Sequence, residues 1–147
     1  MCIRDRTQDG RVVYLDVLDS PHTIRYAPVA GEFKDVHANS LGKALLSLMD
    51  ESARDTMLAG MAMTRYNERT LVTPQALQDD IQQSRQRGWF MNSGESIADV
   101  GAIAWPVTLS GEHYAISVGG PIYRIEPQQE AYARILRAAC TGLEQQA

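Results

Sequence analysis

His37-Ala38-Asn39-Ser40 heads the apolar run of residues 41–49 and sets small polar side chains where a helix begins. Asn39 or Ser40 is suited to cap that helix, because a short side-chain oxygen can accept from the first unpaired backbone N–H groups. The same place suits an anion, since several such amides and the positive end of the helix dipole share one space. The two uses are compatible: a cap satisfies one amide and leaves its neighbours open. "SLGKALLS" is not a phosphate loop, because the upstream glycine is missing and Ala44 stands where a magnesium-binding hydroxyl belongs.

Groupings that could carry catalysis are sparse. His22, His37 and His113 have no metal-ligand spacing, and no Gly-x-Ser-x-Gly elbow occurs. Asp79 and Asp80 are adjacent on a predicted helix, diverge, and read as a solvated face. Glu95 and Asp99 could converge in a cleft, yet nothing near them supplies a nucleophile or an oxyanion donor. Cys2 and Cys140 lie near opposite ends, outside any Cys-x-x-Cys spacing, and read as reduced thiols. No metal, cofactor or enzymatic activity is expected. The remaining chemical feature is small residues inside strand-like runs, "DVGAIAWPV" at 99–107 and "YAISVGGP" at 114–121. Alternation puts Ala115, Ser117 and Gly119 on one face, where a helix or a small ligand comes close to the backbone.

Those residues need elements to hold them. Residues 11–18 and 23–27 read as two strands separated by the turn Asp19-Ser20-Pro21-His22. Leu41, Leu45 and Leu48 fall on one helical face; Asp50 caps a second helix that stops at Gly60. Thr73-Pro74 opens a third, which ends at Gly88. A short strand at 89–91, a loop over "NSGESIAD", and a hairpin of 100–109 with 112–119 around Ser110-Gly111 come next. Pro127 opens a last helix with Tyr132, Ile135, Leu136, Ala139 and Leu143 as its core stripe. About five strands without regular strand–helix alternation predict an α+β domain with a largely antiparallel sheet.

The chain has 147 residues, 44% hydrophobic and 22% charged, enough for one domain with a real core. Its formal charge of −4 and scattered arginines leave no basic stripe for a nucleic-acid backbone. No apolar run approaches the roughly 18 residues of a membrane span, and no signal peptide opens the chain, so a cytoplasmic location is expected. "MCIRDR" looks foreign to the rest of the chain. Residues 1–10 are expected to form a disordered or foreign leader to a domain spanning 11–147, whose true N-terminal part is missing.

Three ordered stretches resemble the effector-binding domain of the IclR family of bacterial transcription regulators. They are "HANSLGKALLS", "RQRGWFMNSGESIADVGAIAWPV" and "YAISVGGPIYRI". The resemblance implies a GAF-like α+β fold that cups a small organic acid and forms homodimers or homotetramers. DNA would be bound only through an N-terminal winged helix-turn-helix that this chain lacks. It places effector contacts at Ser40 and Leu41, through their backbone N–H groups, at Asn92 in the acidic loop, and at Ala102, Ser117 and Gly119 on the strands. Tyr26, on the second strand, would form a wall. Asn92 stands where the family commonly has aspartate, Gly119 where it has a second serine, and Asp99 where glycine is usual. The first two changes favour a larger, less polar effector such as an aromatic carboxylate. Two other classes remain in view: a domain that serves assembly alone, and a GAF-like enzyme dependent on Glu95 or Asp99.

Overall fold

Alternation along the two longest strands decides where the helices and the functional residues lie. The computed structural model describes residues 10–146 together with the backbone of residues 2–4. Strands β1 (Cys2–Arg4), β2 (Arg11–Tyr14), β3 (Phe33–Asp35), β4 (Phe90–Ser93), β5 (Val100–Leu109) and β6 (Glu112–Pro121) form one antiparallel sheet, ordered β3-β2-β1-β6-β5-β4. Helices α1 (Ser40–Leu48), α2 (Glu51–Gly60) and α3 (Pro74–Arg87) precede β4, and α4 (Ile122–Ile125) and α5 (Gln129–Gln146) follow β6. The architecture is α+β and GAF-like.

The β5–β6 hairpin turns on Ser110-Gly111, with φ of 52° and 78°. Two positive values in a two-residue loop match the natural twist of the paired strands. Its register sets Ala104 opposite Ser117 and Ala102 opposite Gly119. On one face Ala104 and Ala115 pack with Leu41, Leu45 and Leu46 of α1 and with Leu77 and Ile81 of α3. On the other, Met91 and Ile103 pack with Ile125, Ala133 and Leu136. The sheet is therefore covered on both sides, and at Ala104 and Ala115 the object that comes close is helix α1.

Helix boundaries follow local chemistry. Asp50 caps α2 by accepting from Ala53 N at 2.8 Å, and Thr73 caps α3 by accepting from Ala76 N at 3.2 Å. Pro74 occupies the first turn of α3 and Gly88, at φ 103°, ends it. Gly42 is required by contact: a Cβ there would lie 2.4 Å from Val36 Cα, in the single 3-10 turn (Val36–Ala38) that leads into α1.

Four expectations are corrected. Residues 23–27 form no strand; β2 ends at Tyr14, and the strand next in the chain that pairs with it is β3. Backbone bonds from Tyr14 N to Glu32 O (3.0 Å) and from Gly31 N to Tyr14 O (2.7 Å) close the connection instead. Tyr26 consequently sits on irregular chain. Cys2–Arg4, inside the expected leader, pairs with β2 and β6; three residues give too short a pattern to be read as a strand. Finally, the buried stripe of α5 is Ala133, Leu136 and Cys140, while Ile135 and Leu143 face outward. Apolar residues recur on two sides of this helix, and periodicity alone does not say which side meets the sheet. Pro127 lies in a separate 3-10 turn (Glu126–Gln128), and α5 starts after it.

Candidate functional site

Between the start of α1 and the β5–β6 surface lies a hollow whose lining includes Tyr26, Ser40, Leu41, Asn92, Ala102, Ser117 and Gly119. All seven residues singled out in the sequence thus meet at one place. Tyr14, Lys34, Asn39, Ser96, Ile97 and Val100 complete the wall. The hollow measures about 30 Å³, room for about one or two water molecules. It adjoins an outer cleft of about 540 Å³, and Lys34, Asn39, Ser96 and Ile97 belong to both walls. The outer cleft has the size of ordinary small-molecule sites, roughly 300–1,000 Å³.

The helix start divides its amides. Asn39 Oδ1 accepts from Leu41 N at 2.9 Å and Gly42 N at 3.3 Å. The expectation that Leu41 N–H awaits a carboxylate is therefore corrected, because the cap already takes it. Ser40 N–H has no acceptor among the described residues. Ser40 and Ser117 are 2% and 8% exposed as whole residues, and neither hydroxyl has a partner among the described residues. These two hydroxyls and one amide border the hollow and are open to a guest.

Small side chains keep the space free. A Cβ on Gly119 would stand 3.5 Å from Ala102 Cβ and 4.0 Å from Tyr26 Cδ1, ordinary contact distances. Packing does not demand glycine here, in contrast to Gly42. Asn92 ties the hollow's floor together: its Nδ2 donates to Ala38 O at 3.1 Å and its Oδ1 accepts from Glu95 N at 2.8 Å.

The acidic loop after β4 is anchored by a buried cation that sequence reasoning did not assign. Lys43, fully buried in α1, reaches Glu95 Oε1 at 2.7 Å, Met91 O at 2.9 Å and Asp80 Oδ2 at 3.2 Å. Thr70 Oγ1 donates to Glu95 O at 2.6 Å and Asn67 Nδ2 to Gly94 O at 2.8 Å. Asp80 is thus a structural partner, not part of a solvated face. Glu95 is locked in an ion pair, while Asp99 is exposed on a separate surface groove, so the two do not form an acid pair. Among the described residues no cluster of three His, Cys, Asp or Glu could hold a metal, and no helix is long and apolar enough to cross a membrane.

Polar groups gather on the opposite wall. Asn39 Nδ2 donates to the Tyr14 hydroxyl at 3.0 Å, and burial, with Tyr26 beside it, pushes that phenol's pKa up. Lys34 Nζ lies 2.9 Å from Glu32 Oε2. The bond to Glu32 raises the Lys34 pKa and keeps it charged. Among the described residues no carboxylate lines the inner hollow, whose donors are an amide, hydroxyls and one ammonium. Lys34 and Tyr14 escaped sequence reasoning because the strand that carries Lys34 was not foreseen. For Tyr14, the alternation with Val12 was the available signal.

The family model described as "Bacterial transcriptional regulator IclR C-terminal" matches residues 5–144. Transcriptional repressor IclR of Escherichia coli is 30% identical over 146 residues, 95% of this chain and 52% of that protein. HTH-type transcriptional regulator BhcR of Paracoccus denitrificans is 35% identical over 116 residues, 78% of this chain and 42% of that protein. The chain spans about half the length of these relatives, which are named as transcriptional regulators. Among solved structures, the Thermotoga maritima IclR superposes with TM-score 0.89 at 17% identity, covering 99% of this chain and 59% of that one. An IclR homolog of Microbacterium hydrocarbonoxydans complexed with 4-hydroxybenzoate superposes with TM-score 0.82 at 23% identity, covering 98% and 58%. Sequence motifs, sheet topology and the family match agree, and the chain belongs to the IclR family of bacterial transcriptional regulators as its C-terminal effector domain.

Proposed function

We propose that residues 11–147 sense a small organic carboxylate, aromatic in the favoured case, at the hollow between Ser40 and Ser117. The observation that carries this reading is the convergence of two serine residues whose hydroxyls have no partner, and of one open amide, on a space lined by no carboxylate among the described residues. The complex of the Microbacterium homolog with 4-hydroxybenzoate makes an aromatic acid a natural first probe. In the intact protein the bound acid would shift the equilibrium between arrangements of a winged helix-turn-helix on DNA, which requires unequal affinity for those arrangements. Assembly as a homodimer or homotetramer in the cytoplasm is part of the same reading.

The small size of the hollow favours a second reading, a domain that serves assembly alone. Under the sensing reading, binding has to part the walls, and the walls built from irregular chain, Tyr26 and Ile97, are the ones to move. Isothermal titration with a panel of organic acids that includes 4-hydroxybenzoate separates the two. Sensing predicts saturable binding that Gly119→Leu abolishes, since the added side chain fills the space against Ala102 and Tyr26, while thermal melting stays cooperative. A folded chain that binds none of the acids would leave the assembly reading standing. Equal binding by Gly119→Leu would move the site elsewhere.

A further inference from the structure

The Asn39 cap removes Leu41 N–H from the hollow, so a guest acid meets one amide and two hydroxyls, all uncharged. Removing a carboxylate from water against neutral donors alone is costly, and a nearby opposite charge is the usual remedy. Lys34 is the one cation lining the inner hollow among the described residues, and it also lines the outer cleft. Its ammonium is held at 2.9 Å by Glu32 Oε2, and Glu32 Oε1 in turn accepts from Val29 N at 2.9 Å. Both side chains are about one-third exposed, 34% and 37%, so Glu32 can return to water without stranding a buried charge. The flexible four-carbon stem of a lysine allows its ammonium to follow a new partner.

We propose that Lys34 is the charge-recognising residue of this site and exchanges the Glu32 carboxylate for that of the effector, with Glu32 as a built-in competitor. The assignment rests on the sensing reading and deepens it: the ligand class is an anion whose acid group sits at the neck between the two spaces. The exchange trades one ion pair for another, so selectivity for acid over the matching amide follows from the need to occupy Lys34 once Glu32 is displaced.

The test is titration of the 147-residue chain with benzoate, pyruvate and their amides, at low and high salt, for the native sequence, Lys34→Met and Glu32→Gln. The native chain should prefer at least one acid over its amide by about tenfold, with the preference shrinking in salt. Lys34→Met should abolish the preference and its salt dependence while leaving amide affinity unchanged. Glu32→Gln should tighten acid binding a few-fold. Acid binding that survives Lys34→Met overturns the charge assignment and leaves the sensing reading intact. Equal loss of acid and amide in that variant also overturns it, by showing that Lys34 only shapes the wall. A folded native chain that binds neither acid overturns both for these ligands.

Discussion

At the scale of single residues, the most consequential side chain is one that touches no guest. Lys43 is buried, with two carboxylates and a carbonyl on its ammonium, and through Glu95 it fixes the loop that supplies Ser96 and Ile97 to the hollow. Lys43→Met leaves Glu95 charged and unpaired inside the protein. Breaking such a pair costs about 3–5 kcal/mol, so urea unfolding should show a loss of that order. Glu95→Gln tested beside it should also destabilise. Tyr66 gives a prediction with a pH sign. Its hydroxyl donates to Asp35, and chiefly that bond pushes its pKa up to about 12 from 10.0. A raised pKa means that the neutral phenol is favoured in the folded state. The contribution is complete below pH 10 and is lost as pH rises towards 12. The difference in melting temperature between the native chain and Tyr66→Phe should therefore be constant up to about pH 9 and shrink through the alkaline window. A difference that grows there would reverse the assignment.

At the scale of elements, α1 is positioned by an intimate contact. Replacing glycine with alanine inside a helix ordinarily stabilises by about 1 kcal/mol. At Gly42 the new Cβ would meet Val36 Cα at 2.4 Å and Val36 O at 2.5 Å, backbone atoms that cannot swing aside. Gly42→Ala should therefore destabilise by about 1–3 kcal/mol, the usual cost of overpacking. Gly60, at the end of α2 with nothing within 4 Å of its added Cβ, should show the ordinary stabilising sign. Opposite signs from the same substitution, read by chemical denaturation, isolate the contact from propensity.

The contrast also shows what the sequence makes legible. Caps at Asp50 and Thr73, the Gly88 stop and the Ser110-Gly111 hairpin were readable because each depends on a few neighbouring residues. So was the face shared by Ala115, Ser117 and Gly119, since a strand has only two sides. Residues 23–27 misled because β-rich composition becomes a strand only where a partner edge is open, and β3 occupies the edge of β2. The α5 stripe misled for a related reason: Ile135 and Leu136 are both apolar, and only the sheet decides which is buried. At the hollow, motif order located the seven wall residues, but the loss of Leu41 N–H to Asn39 and the presence of Lys34 depend on three-dimensional packing.

At the scale of the whole molecule, the decisive quantity is the mismatch between a 30 Å³ inner hollow and a 540 Å³ outer cleft. A guest larger than water has to open the inner wall, and the sheet and α1 are too well packed to yield. Opening falls to the segment that carries Tyr26 and to Ile97, which is 46% exposed and lines both spaces. On the proposed sensing function, binding would draw on a minor open state, whose fractional population lowers the apparent affinity. Once occupied, that state is stabilised by mass action, about 2.7 kcal/mol at a ligand concentration of 100 Kd. For a domain of this size each 1 kcal/mol raises the melting temperature by roughly 2–4 °C, so a saturating acid should raise it by about 5–10 °C. Differential scanning calorimetry should show that rise, and stopped-flow binding on the same sample should show an observed rate that levels off at high acid concentration, limited by opening. Ile97→Gly, by thinning the neck, should lift that plateau while changing the calorimetric shift little. A rate that climbs linearly to the mixing limit would mean that the hollow is already open in solution.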